Sequence, residues 1–326
     1  MRENRIVYVS FGGQKFEDQT RYSVLTLVHL LEVTRRDDYR IVVYTDRPER
    51  VPSHAWVTAV QVERDALDTW RGPLENVHRI RLEVLHRAVA TFGLPLMYVD
   101  SDTRWLQLPD EPFERLKAPP APGGKPAFYM HTKEGTLSPT FHPPYLAYLS
   151  THADLLSGLG LPASPPWTMW NAGVMGVPVG ADTFFADVMH LHDTLLPRIR
   201  PRNFVDQLII SLLAGQRGEL HGLEPYLHHY WNFSQEAPIL LRQFFESGDA
   251  ALSTVAQARR CAENPWDEAA LRQIQRGKVS GFRRWRNKVR NSLRKRRLDL
   301  KALWLRAFAT VACCIVPLLS DAPPLF

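Results

Sequence analysis

Hydrophobic positions along the first hundred residues switch between two spacings. Ile6 to Ser10 is a short apolar run, and Val24, Leu27, Val28 and Leu31 then recur three and four residues apart, the spacing of one helix face. Arg40 to Thr45 (RIVVYT) predicts a second strand that ends at Asp46, and Val57 to Val62 alternates as a third. Ile80, Val84, Leu85, Ala88 and Phe92 mark one face of a further helix, closed by Gly93. Pro95 to Val99 (PLMYV) then reads as a buried strand. The order β-α-β-β-α-β predicts an α/β fold, a mixed but mainly parallel sheet flanked by helices. Beyond Asp110 the pattern changes. Ala118 to Pro126 (APPAPGGKP) is a loop by its Pro and Gly content. Ala127 to His131 and Ala172 to Val177 are strand candidates, and Thr183 to Leu195 and Val205 to Leu213 are helical. Composition divides the chain into a globular body over residues 1–250 and a basic helical C-terminal region over 251–326.

Charge sharpens that division. The 326 residues carry a formal net charge of +6, with 45% hydrophobic and 23% charged residues, enough for a sizeable core. Residues 276–301 contain twelve Lys and Arg against the single acid Asp299, so this segment carries +11 and the rest of the chain −5. The high isoelectric point is therefore a property of the tail, and nucleic-acid binding by the body is not expected. Phe282, Trp285, Val289 and Leu293 recur at helical spacing among those cations. A basic amphipathic helix of this kind is expected to hold an anionic membrane surface. The apolar run Ala307 to Leu319 is shorter than the roughly 20 residues that span a bilayer. Cys261, Cys313 and Cys314 show no disulfide framework or metal spacing, and the N-terminus runs straight into a strand with no secretory segment. A cytoplasmic protein, peripheral on the cytoplasmic face of the membrane, is expected.

Four segments carry candidate chemistry. Tyr98-Val99-Asp100-Ser101-Asp102-Thr103 runs a buried strand into carboxylates at i and i+2, which share a face in extended chain. Two carboxylates held together repel and call for a cation. Hard oxygen ligands suit Mn²⁺ or Mg²⁺. The position, just past the carboxyl end of a strand, is where open α/β sheets bind ligands. A solvated turn would also fit the DSD triplet taken alone. Trp170-Asn171-Ala172-Gly173-Val174-Met175-Gly176-Val177 offers small residues for close backbone approach and an amide at the strand edge; it also fits a Gly-rich central strand packed under a helix. Asn203-Phe204-Val205-Asp206-Gln207 opens an apolar helix, where Asp206 also suits the helix dipole. Leu227-His228-His229-Tyr230-Trp231-Asn232 places two histidines in an aromatic segment, either a metal ligand or half-buried structural residues.

In this order the four segments resemble the GT-A glycosyltransferases, specifically the retaining glycogenin-like and lipopolysaccharide-galactosyltransferase-like group, over residues 5 to 235. MYVDSDTRWL, WNAGVMGV, VDQLII and HHYWN stand where that group has its metal motif, its NAGV strand, its DQ helix start and its histidine motif. The resemblance implies a Rossmann-like GT-A fold and transfer of a hexose from a nucleotide-diphosphate sugar, by default a uridine one, to a glycan or lipid-linked acceptor. It implies Mn²⁺ (or Mg²⁺) as cofactor. Asp100, Asp102 and His229 correspond to the metal ligands, His229 because it directly precedes Tyr230. Asn171, Asp206 and Gln207 correspond to residues around the donor sugar and reaction centre. Arg79, Asp100 and Ser101 fall on the donor side, and Ser10 and Phe11, ending the first strand, are candidates for the nucleotide pocket, with Asp46 a weaker one. The group normally follows its histidine with a lysine that touches the diphosphate. Here Asn232-Phe233-Ser234-Gln235-Glu236 has none, so another cation, Arg242 or Arg79, is expected to meet that charge. The competing readings are a nucleotidyltransferase or phosphohydrolase using the same acidic site, and a catalytically inactive membrane-associated scaffold. No Gly-rich, Lys-bearing phosphate loop favours the former, and the retained Asp100, Asp102 and His229 argue against the latter.

Overall fold

The computed structural model describes residues 3–246, 252–263, 271–272 and 275–276. The amphipathic segment expected over 282–293 and the apolar run over 307–319 lie outside the described residues. The chain divides into two compact units, Met1–Trp266 and Asp267–Phe326, and the first is the one described below. Its elements in chain order are β1 (Asn4–Ser10), α1 (Gln14–Thr34), β2 (Tyr39–Thr45), β3 (Val57–Gln61), α2 (Arg64–Trp70), α3 (Val77–Phe92), β4 (Leu96–Val99) and β5 (Thr103–Trp105). There follow α4 (Asp110–Lys117), β6 (Ala127–Met130), β7 (Lys133–Thr136), α5 (Pro143–Thr151), α6 (Ala153–Gly158), β8 (Thr168–Trp170) and β9 (Val174–Val177). The unit closes with α7 (Phe184–Leu195), α8 (Val205–Arg217), β10 (Glu219–Gly222), β11 (Leu227–His229), α9 (Ala237–Glu246) and α10 (Thr254–Glu263).

Seven strands form one sheet in the order β10-β6-β9-β4-β1-β2-β3. All neighbours are parallel except β9, which runs antiparallel to both β4 and β6. The expected α/β sheet is present. Every residue of β4 is buried, as its position between two other strands requires. Alternation sends Tyr98 into the core formed with α3, α7 and α8, and Met97 and Val99 into the core formed with α1, α4 and α9. Two small antiparallel pairs, β5 with β11 and β7 with β8, lie outside the main sheet. Among the described residues no helix is long and apolar enough to cross a membrane.

Two boundaries differ from the hydrophobic pattern. Helix α1 begins ten residues before the first apolar position of its stripe, at Gln14. Its opening turns carry Glu17, Asp18, Gln19 and Thr20, all buried, so this end is covered although its side chains are polar. Glu17 is met there by Arg47 (2.8 Å) and Arg50 (3.1 Å). At the other end, α10 packs against α1, and the first unit runs to Trp266, past the residue 250 suggested by composition.

Candidate metal centre and reaction site

β4 ends at Val99, and the chain turns through Asp100, Ser101 and Asp102 into β5. Because β9 runs antiparallel to β4, its amino end lies beside the carboxyl end of β4. Asp100 N donates to the Gly173 carbonyl (2.7 Å), so the DSD turn and the NAG turn are joined by backbone. The turn is also fixed from below. Thr103 Oγ1 donates to the Asp100 carbonyl (2.9 Å), so that hydroxyl's proton is committed. Thr103 must then accept from Ser23 Oγ (2.7 Å), Ser23 from the Tyr8 hydroxyl (2.9 Å), and Tyr8 from Trp105 Nε1 (2.7 Å). One consistent donor direction satisfies all four groups. Burial holds the Tyr8 hydroxyl protonated, well above its ordinary pKa, as its place in that chain requires.

β11 pairs with β5 so that His229 lies opposite Thr103 and His228 opposite Arg104. Successive side chains of a strand point to opposite faces, and His229 is the one turned to the carboxylates. Its Nε2 lies 3.1 Å from Asp102 Oδ1 and 3.9 Å from Asp100 Oδ2. Ligand atoms of Asp100, Asp102 and His229 all fall within 4.8 Å of one another. The ring is buried, edge-on to His131 at 5.1 Å between centroids. Burial and then the nearby Arg81 and Asp102 act on Asp100, with the net result that its pKa rises. Burial also opposes ionisation of Asp102, but its contact with His229 outweighs this and lowers its pKa. An O,O,N donor set of this kind fits a divalent cation. Gly173 keeps the space open. A Cβ there would lie 2.2 Å from His229 Cε1, 2.8 Å from its Nδ1 and 2.9 Å from Asp100 Oδ2.

A cation reaches this cluster from α3. That helix starts at Asn76, whose side chain accepts from His78 N (2.8 Å), and stops at Gly93 with φ +72°. Arg81 donates to the Ala172 carbonyl (3.1 Å) and to Asp206, and its guanidinium lies 3.5 Å from Asp100 Oδ1. Tyr98 also donates to Asp100. Burial works against the Arg81 charge, yet Asp206, Tyr98 and Asp100 more than offset it and hold the group above its ordinary value. Burial likewise opposes ionisation of Asp206, and Arg81 outweighs it, so that this carboxyl sits below the usual range. Arg79, expected on the donor side, is engaged elsewhere. It grips Asp193 of α7 through Nε and Nη2 (both 2.8 Å) and donates to the Trp70 carbonyl (2.9 Å).

Asn171 and Gln207 converge, but on a third residue. Asn171 Nδ2 donates to Glu134 Oε1 (3.0 Å) and Gln207 Nε2 to Glu134 Oε2 (2.8 Å). Their oxygens accept from the backbone of the same turn, Asn171 Oδ1 from Gly173 N (2.9 Å) and Gln207 Oε1 from Ala172 N (3.3 Å). Glu134 of β7 is therefore a carboxylate held by two amides beside the carboxylate cluster, and the sequence reading passed over it. Ser101 is buried in the DSD turn. Ser10 and Phe11 lie where β1 ends alongside β4, since Tyr8 pairs with Val99. Arg81 was also passed over. Its signal was a cation inside the apolar arc Ile80, Val84, Leu85 and Ala88.

No protein-family model matches the chain, and no curated protein matches it. Among solved structures it is similar to the apo form of the bifunctional glycosyltransferase WbbM, with 13% identity and TM-score 0.44 over 68% of this chain and 39% of that one. It is similar to the galactosyltransferase LgtC in complex with donor and acceptor sugar analogues, at 9% identity and TM-score 0.39 over 66% and 72% of the two chains. Mouse xyloside xylosyltransferase 1 in its apo form gives 11% identity and TM-score 0.43 over 68% and 85%. The chain spans about 39% of the length of the first of these. These likenesses are too weak to bear on function.

Proposed function

We propose that the chain is a divalent-metal-dependent glycosyltransferase that moves a hexose from a nucleotide-diphosphate sugar, a uridine one by default, to a glycan or lipid-linked acceptor with retention. The observation that supports this reading is the convergence of Asp100, Asp102 and His229 at the carboxyl end of β4, beside a carboxylate held by Asn171 and Gln207. A divalent ion bound by those three side chains supplies Lewis-acid neutralisation of the leaving diphosphate.

The protein's own groups account for the rest. Ser10, Phe11 and Ser101 line the edge where the donor binds. Arg81 fixes Asp100 and Asp206 relative to each other and keeps both carboxylates oriented. Asp206 is buried and already paired to Arg81, so its role is electrostatic support and not nucleophilic attack. Glu134, clamped by Asn171 and Gln207, places negative charge where positive charge builds on the sugar ring. Approach of the acceptor hydroxyl from the face that the diphosphate leaves is what the resemblance to the retaining group implies.

The test is a donor screen across nucleotide sugars with Mn²⁺, with product analysis. Glycosyl transfer predicts cleavage to a nucleoside diphosphate and free or transferred hexose. Release of a nucleoside monophosphate and a sugar phosphate would instead support a phosphohydrolase. Asp102→Asn is expected to abolish the Mn²⁺-dependent turnover while the far-ultraviolet circular dichroism stays unchanged; wild-type turnover by this variant at limiting metal would remove the metal assignment. The basic tail, +11 over residues 276–301, supports attachment to an anionic membrane at about 1 kcal/mol per basic residue near the surface. Removing residues 276–326 is expected to abolish co-sedimentation with anionic liposomes and to spare donor hydrolysis. Sedimentation of the truncated protein would refute that attachment.

A further inference from the structure

A nucleotide diphosphate brought to two carboxylates needs a counter-charge from the protein, and the segment after His229 supplies no lysine. Five of the arginines around the site are engaged by carboxylates, and Arg104, on β5, alternates to the strand face opposite Thr103. Arg81 pairs with Asp206, Arg79 with Asp193, Arg47 and Arg50 with Glu17, and Arg242 with Glu246.

One face of α1 points to a different cation. Residues four apart on a helix stack along one face, and Lys15, Gln19 and Ser23 form such a row. Ser23 Oγ lies 2.7 Å from Thr103 Oγ1, the residue after Asp102. Gln19, wholly buried, lies against the side chain of Tyr230, the residue after His229. The lower members of the row thus touch the immediate neighbours of two of the three clustered side chains. Lys15 is one turn beyond Gln19, toward the open end of the same face. α1 begins four residues after β1 ends at Ser10, and β1 ends alongside β4, where the DSD turn starts. Lys15 is half-buried, and among the described residues its ammonium has no salt-bridge partner and lies 5.2 Å from the centroid of the Phe16 ring.

We propose that Lys15, carried on the first turn of α1, is the cation that binds the donor diphosphate beside Asp102. This rests on the glycosyltransferase reading of the site. It assigns to the beginning of the chain a charge that the resembled group supplies after its histidine.

The experiment is calorimetric titration of the full chain with Mn²⁺ and a panel of UDP, GDP, ADP and dTDP, followed by the matching nucleoside monophosphate. Wild type, Lys15→Ala and Lys15→Arg are compared. Lys15→Ala is expected to weaken diphosphate binding about ten- to hundredfold, the range for losing a charged hydrogen-bond partner. Monophosphate binding is expected to be unchanged, Mn²⁺ alone to bind no more weakly, and Lys15→Arg to recover most of the diphosphate affinity. Equal diphosphate binding by Lys15→Ala and wild type would overturn the assignment of Lys15 and leave the glycosyltransferase reading intact. Equal loss of monophosphate and diphosphate would also overturn it, since Lys15 would then act on the pocket as a whole. Failure of the wild type to bind any of the four diphosphates would remove both.

Discussion

A methyl group is the smallest side chain that can be added at Gly173, and the site has no room for it. The added carbon would fall 2.2 Å from the His229 ring, far inside van der Waals contact, and both His229 and Asp100 would have to move. Gly173→Ala is therefore expected to lower Mn²⁺ affinity by about 10–100-fold, the range seen when groups that orient metal ligands are disturbed. An electron paramagnetic resonance titration of free Mn²⁺ measures this directly. The control is three residues along the same segment. A Cβ at Gly176 would meet Leu116 and Tyr129 at 3.0–3.1 Å, away from the cluster, so Gly176→Ala is expected to lower the melting temperature with metal affinity retained. Equal Mn²⁺ affinity in Gly173→Ala and wild type would mean that the cluster does not form the binding site.

Between elements, the polarised chain Trp105–Tyr8–Ser23–Thr103 links β1, α1 and β5 to the DSD turn. Tyr8→Phe removes both the acceptor of Trp105 Nε1 and the donor to Ser23, deep in the core. It is expected to lower the free energy of unfolding by about 1–3 kcal/mol. Ser23→Ala breaks the same chain, and the double variant is expected to lose less than the sum of the two, because partners in one network are not independent. Urea denaturation of the four proteins checks this; strict additivity would show that the contacts act separately. The elements that such chains connect were unequally visible in the sequence. β1, β2, β4, β6 and β9 are apolar runs with both faces covered, and the hydrophobic pattern places them. β5, β7, β10 and β11 are three or four residues long and rich in Arg, His, Lys and Glu, so no periodicity marks them, and they exist because a partner strand is brought alongside. The beginning of α1 was hidden for a related reason: its buried residues are polar, and Glu17 among them is covered by Arg47 and Arg50. The same blindness explains the site. Asp100, Asp102 and His229 stand in short recognisable motifs, whereas Glu134, Arg81 and Lys15 acquire meaning only from what folding places next to them.

For the molecule as a whole, the reversed strand β9 makes the site a product of distant segments. The cluster draws on residues 100–102, needs the gap left at 173, and is completed by His229 on β11, which pairs with β5 across more than a hundred residues of chain. Contacts between residues so far apart along the chain carry a large loop-closure entropy and tend to form late. This gives metal a kinetic signature. An interaction absent from the folding transition state slows unfolding without speeding folding. Saturating Mn²⁺ is therefore expected to flatten the unfolding limb of a denaturant chevron and leave the refolding limb where it was. A faster refolding limb in metal would show that the ligand set assembles early. On the ribosome the same ordering means that the two carboxylates emerge more than a hundred residues before the histidine that joins them. A metal site built on all three side chains is therefore complete only once the chain has been made through β11.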